Sequence, residues 1–361
     1  MKYKFFIISL LLLAACTRNV PTTPPSELSF QVASYLTRGP ITGSIFPIDE
    51  SFGAYAWADG TLSGYFMENE RISFVEEQGL WKPSSTYYWP KQGTVDFVCY
   101  YPYGMNGIDI SANNLRYTDI DVSTTQDDIM YADKAVGFNS RSDAVPVVFR
   151  HALALLKVDV CLSYNHKEEA DGTMTDWAVT LNSASLSGLY RKGNCDLVIA
   201  DKTATGTVQW ARPTDENGFC VWTNDGSLYS TPNLIPESGS QLATDSWTNV
   251  VPEVFVLPQA LLSNQQTVNL NITVSTVRNG IPFLRETINV SAPLYSEPIQ
   301  AWQMNQALEY RIKISPTASH GNGGNPGSDV DPSNPNLNDV VVTFDPSVSS
   351  WDIVDVTAIL I

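Results

Sequence analysis

Along much of the chain, apolar and polar residues change places at every step. Leu28, Phe30 and Val32 alternate with Ser29, Gln31 and Ala33. Val268, Leu270, Ile272 and Val274 alternate with Asn269, Asn271 and Thr273, and Tyr310, Ile312 and Ile314 with Arg311 and Lys313. A period of two predicts strands that put one face on a core and the other in water. No stretch sustains a helical period beyond a turn or two. Glycine and proline, at 22 each, interrupt the runs too often for long helices. Strands separated by turn clusters predict an all-β chain built of antiparallel sandwiches.

The two ends break this pattern. Lys2 and Lys4 precede the apolar run Phe5 to Ala15, which is shorter than the ~20 residues a membrane-spanning helix needs. Residues 1–15 therefore read as a signal peptide. Leu13-Ala14-Ala15-Cys16 resembles the lipobox of bacterial lipoproteins, in which the cysteine thiol is acylated and a peptidase cuts just before it. The resemblance implies lipidation at Cys16 and attachment to a bacterial envelope. Residues 16–26 are polar and proline-rich, a tether rather than a core segment. At the other end, Ile353, Val354, Val356, Ala358 and Leu360 lie in a terminal run too apolar to be left in water.

A chain of 361 residues exceeds one ordinary core, so two domains are expected. Asn139 to Asp143 is the best division, giving domains at 27–142 and 143–361. Ser319 to Asn338 reads as a long exposed loop within the second. The net charge of −17 disfavours nucleic acid, because no basic face can neutralise phosphates. It also keeps the folded part off an anionic bilayer, leaving the lipid as the attachment. Besides Cys16 there are Cys99, Cys161, Cys195 and Cys220. Four cysteines allow three pairings and the sequence chooses none. Cys195 and Cys220 flank a loop pair that a bridge would suit, whereas Cys99 and Cys161 sit in apolar runs.

Signals of catalysis are weak. Of the three histidines, His151 lies in an apolar strand and reads as a packed core residue. Asp127 and Asp128 are adjacent, so on a strand they face opposite ways and cannot share a substrate; a solvated turn is the better reading. Asp329, Asp331 and Ser333 hint at a calcium loop, but Asn334 and Val340 stand where the tight-turn glycine and the bidentate glutamate belong. No catalytic residue, metal or cofactor is expected. The aromatics Trp81, Tyr87, Tyr88, Trp89, Tyr100, Tyr101 and Tyr103 crowd the first half. They suit either a sandwich core or an exposed platform that stacks on sugars, which would make a glycan-binding surface lipoprotein.

Taken in order, several segments resemble the fimbrillin family, the lipoprotein subunits of strand-exchanged pili. They are Tyr35-Leu36-Thr37-Arg38-Gly39, Ser51 to Ala56, Trp81, Tyr87-Tyr88-Trp89-Pro90 and Val95 to Pro102. Val147 to Val158 carries a Phe-x-His-x-Leu strand; Val256-Leu257-Pro258-Gln259, Trp302 to Asn305, Tyr310 to Ile314 and Phe344 to Val348 with Trp351 follow. The resemblance implies two tandem transthyretin-like β-sandwich domains and no reaction. It implies that a trypsin-like protease removes the first strand, and that a neighbouring subunit's strand fills the groove. Arg38 is the only basic residue between Arg18 and Arg71, which makes the Arg38–Gly39 bond the candidate cut. The terminal run becomes the candidate donor strand. Expected partners are other fimbrial subunits, the outer membrane through the lipid, and a host or bacterial surface ligand.

Overall fold

The computed structural model describes residues 26–32, 46–59, 64–140, 144–168, 172–199, 206–235, 239–297 and 299–315. It also describes the backbone at 319–320, 335–336 and 341–350. Among these residues there is no helix; the chain is all-β.

Eleven strands lead up to residue 151. They are β1 (Phe30–Val32), β2 (Ser51–Ala58), β3 (Tyr65–Val75), β4 (Leu80–Pro83), β5 (Val95–Tyr101), β6 (Ile108–Ser111), β7 (Asn114–Asp121), β8 (Met130–Ala132), β9 (Lys134–Phe138), β10 (Val145–Val147) and β11 (Phe149–His151). One sheet runs β10-β1-β4-β3-β2-β5-β8-β11, with β9 and Gly206–Val208 attached beside β5. Only Val148 separates β10 from β11, yet they stand at opposite ends of that order. A chain that steps from one edge to the other in one residue requires the sheet to roll up. Phe149 of β11 accordingly meets Phe52 of β2, ring centroids 5.3 Å apart. Residues rolled inside include Phe30, Phe52, Ile72, Trp81, Phe97, Val145 and Val147.

The opposite face of β5 packs elsewhere. Val98 and Tyr100 join Leu115 and Tyr117 of β7, and with them Cys195, Leu197, Trp210, Trp222, Leu153, Leu155, Phe255 and Met304. β6 and β7 share a sheet with Lys192–Ile199, Trp210–Ala211 and Thr223–Asn224. The expected division at residue 142 therefore falls inside a hydrogen-bonded unit: β10 and β11 pair with β1 and β8, and β7 pairs with Lys192–Ile199. A further buried cluster takes in residues from Ala154 onward, while Leu155, Cys195, Leu197, Phe255 and Met304 stay with β5 and β7.

β12 (Ala154–Leu162) lies between Thr248–Val256 and Gln306–Ser315, with Val341–Ser350 outermost. Met174–Ser187, Thr267–Arg278 and Ile281–Pro293 form the facing sheet. Val158, Val160, Tyr310 and Ile312 from the first sheet fill one core with Val179, Leu181, Leu270 and Ile272 from the second. Trp302 is fully buried there and donates through Nε1 to the Tyr310 hydroxyl at 3.0 Å, which satisfies both polar atoms.

The four described cysteines are all free and buried. Cys195 and Cys220 share a core cluster without bonding, so the bridge considered for them is absent from the structure. Burial pushes the thiols of Cys99 and Cys195 well up, which removes the thiolate that reactivity needs.

Candidate functional site: the seat of the first strand

β1 is the strand whose removal the family resemblance implies, and its surroundings define the candidate site. Its alternation is realised: Leu28, Phe30 and Val32 are buried, while Gln31 is exposed. β1 lies inside the sheet rather than at its edge. On one side it runs parallel to β10, with Phe30, Gln31 and Val32 opposite Val145, Pro146 and Val147. On the other it runs antiparallel to β4, with Phe30 opposite Trp81. Proline at 146 lacks a donor, which is tolerated because β10 ends the sheet.

The backbone is held on both flanks. Val145 N donates to Ser29 O at 2.9 Å and Leu28 N to Tyr87 O at 2.9 Å; Trp89 N reaches Ser26 O at 3.3 Å. An ion pair of 2.7 Å joins Lys82 to Glu27 at the rim. Inside, the Phe30 ring meets Phe52 and Phe97 edge-on, at centroid distances of 5.9 and 5.5 Å. Withdrawing β1 would leave unpaired groups on β10 and β4, a gap about 10 Å wide, and an apolar slot lined by Phe52, Trp81, Phe97 and Val145. Such a slot would have the width of one extended strand.

Charged groups brace the frame around this seat. Arg150 grips Asp133 through two hydrogen bonds of 2.8 Å, tying β11 to the turn after β8. Lys134, 3% exposed, pairs with Asp96 at 3.0 Å and donates to Ala112 O at 2.7 Å. His151 Nδ1 lies 2.8 Å from Asp128 Oδ1, both side chains buried. The reading of Asp127 and Asp128 as a solvated turn is corrected at Asp128: it is turned inward against His151, while Asp127 stays exposed. Asp128 Oδ2 has no partner. Among the described residues no group of three or more His, Cys, Asp or Glu is placed to hold a metal ion.

The aromatic crowd of the first half divides. Trp81, Trp89 and Tyr100 are buried, Tyr87 and Tyr101 partly so, and Tyr88 and Tyr103 exposed. Most of it is core, which removes the platform as first drawn. Sequence reasoning missed β10: three residues with a central proline carry almost no strand signal, and nothing local says that Val145 seats against Phe30.

Cys16, Arg38, Gly39 and the run containing Ile353, Val354, Val356, Ala358 and Leu360 lie outside the described residues. The backbone leading into that run is described: Val341–Ser350 pairs antiparallel with Gln306–Ser315, from Val341 opposite Ser315 to Ser350 opposite Gln306.

The fimbrillin-like family model matches residues 37–351. A fimbrial protein from Bacteroides vulgatus superposes with a TM-score of 0.53 at 14% identity, over 90% of this chain and 99% of its own. A candidate cell adhesion protein from Bacteroides uniformis is 16% identical over the same shares, with a TM-score of 0.46. At these identities the first likeness speaks to the fold alone. No curated protein matches the sequence. With a family match over most of its length and a fimbrial fold beside it, this chain belongs to the fimbrillin-like family.

Proposed function

We propose that this chain is an exported fimbrial subunit whose first strand is a temporary plug, replaced during assembly by a strand from a neighbouring subunit. Family membership sets the coarse function: a fimbrial or adhesive subunit of the cell surface, from a structural rather than enzymatic family. In the finer reading, Cys16 is lipidated and delivers the precursor to the outer membrane. Cleavage between Arg38 and Gly39 then frees β1 together with the lipid. The terminal run, with Ile353, Val354, Val356, Ala358 and Leu360, inserts into the vacated seat of the next subunit.

The observation that carries this reading is that β1 is short, interior and paired on both sides. An edge strand would leave a sheet with one edge when removed. An interior one leaves a slot with two, which one extended strand closes again. The tandem transthyretin-like domain arrangement belongs to the same reading.

Substituting Arg38→Ala tests it. The expected result is a mature chain heavier by residues 16–38 and its lipid, with loss of detergent-resistant ladders. Unchanged mass and unchanged ladders would remove Arg38 from the mechanism.

A further inference from the structure

The outer face of β2 carries chemistry that strand exchange does not use. Ser51–Ala58 reads Ser-Phe-Gly-Ala-Tyr-Ala-Trp-Ala; Phe52, Ala54, Ala56 and Ala58 face the rolled core. Gly53, Tyr55 and Trp57 therefore face the other way. The Tyr100 ring lies directly across Gly53, where any Cβ would collide with it. It is pinned there by donation from its hydroxyl to Asn69 Oδ1 at 2.6 Å and by a hydrogen bond accepted from Gly104 N at 3.2 Å.

From that buried ring a group of aromatics runs outward. Tyr100 to Tyr55 is 6.3 Å between centroids and Tyr55 to Trp57 is 6.3 Å; Tyr65 on β3 closes the group, 5.4 Å from Trp57 and 5.9 Å from Tyr55. Tyr55 and Trp57 are only partly buried, and Tyr65 is 49% exposed. Opposite Tyr55, β3 bulges: Ala54 pairs with Glu70 but Ala56 with Met67, and Asn69 within the bulge has φ of 47°. Asparagine takes the left-handed region more readily than most residues, so the bulge forms here at little cost and re-aims its side chains. Here it turns out Glu68 and Asn69, both exposed. Burial first, then Tyr100, Tyr65, Glu68 and Asp109, push the Tyr55 hydroxyl up to about 12, consistent with both carboxylates flanking the group.

From this geometry we infer that the Tyr55–Trp57–Tyr65 group is a binding site for a neutral glycan. The electron-rich ring faces complement the partly positive C–H face of a pyranose. The carboxylate oxygens of Glu68 and Asp109 are acceptors for its hydroxyls. The carboxylates, on a chain of net charge −17, repel sialylated and sulfated sugars. A cation is the other ligand such rings attract, but a cation is best enclosed by faces set at several angles. Tyr55 and Trp57 are near parallel, 17° apart, and only Tyr65 is tilted against them, by 56° and 44°; a cation is the competing ligand that the test below includes. The inference rests on the adhesive half of the function proposed above and is independent of strand exchange.

The test is an array of neutral, sialylated and sulfated glycans probed with the purified mature chain, alongside tetramethylammonium as a cation probe and polymer ladders as a separate readout. The expected result is binding to neutral glycans only. Tyr65→Ala and Trp57→Ala would each weaken it about tenfold or more, as loss of one stacking ring implies, with ladders intact; Tyr65→Phe would retain it. No neutral glycan bound, binding indifferent to both alanine variants, or saturation by tetramethylammonium alone would each overturn the inference. Ladders lost in Tyr65→Ala without glycan binding would make these aromatics a subunit contact and overturn it equally. Ladders absent from the unaltered chain, with glycan binding present, would count against strand exchange and leave the site standing.

Discussion

Phe30 stands opposite Val145 in a parallel pairing of two three-residue strands, and the two are as buried as any residues in the protein. Short parallel strands are weak pairs on their own. What holds this one is the side chain of Phe30, wedged between Phe52 and Phe97 under the roll of the sheet. The seat is therefore apolar, deep and specific in register, since a slip of one residue would point Gln31 into the core.

Phe30→Ala in the uncleaved precursor should destabilise it by about 3–5 kcal/mol, the usual cost of emptying a buried aromatic site. Val32→Ala, nearer the rim, should cost less. Urea denaturation reads both. After removal of residues before Gly39, neither substitution has anything left to affect.

The frame should prove as sensitive as the plug. Asp133→Ala leaves the Arg150 guanidinium, 13% exposed, without its bidentate partner. Breaking a buried pair from one side costs about 3–5 kcal/mol. The change should lower the denaturation midpoint in the cleaved form too, which separates it from Phe30→Ala.

Alkali should unfold the protein over a defined range. Burial is the leading cause that raises the phenols of Tyr55, Tyr131 and Tyr229 to about 12. A free tyrosine titrates near about 10. Each raised group therefore contributes stability that is complete below the unfolded value and lost as pH climbs through the folded one. Phenolate absorbance should lag behind that of the unfolded chain between those two values, then rise together with loss of β-sheet circular dichroism. Early titration of all sixteen tyrosines with the fold intact would contradict the burial described.

Much of this was legible in the sequence because it is local. Alternation at Val268 to Val274 and at Tyr310 to Ile314 predicts strands that the structure buries residue by residue. The apolar face of β1 was equally plain. Its interior position was not, since it depends on Val145–Val147, a segment distant in the chain with a proline at its centre. Roll-up also hid the division of cores: Asn139 to Asp143 looks like a linker, but the strands on either side of it close one sheet. At Asp128 the sequence pointed to water, whereas the fold brings His151 up to meet it. The Tyr55–Trp57–Tyr65 group was visible in principle, as aromatics alternating with alanines; its exposure depends on where the second sheet stops covering β2.

If the tail is the donor proposed above, deletion of residues 353–361 should leave a folded monomer with normal melting but no ladders. Ladders that persist after the deletion would exclude the tail as donor.

The most direct measurement is the N-terminal residue of subunits recovered from detergent-resistant polymers. If β1 is a removable plug, that residue is Gly39 and no acyl chain is found on the polymerised chain. Polymers whose subunits begin at acylated Cys16, with β1 still attached, would contradict the account.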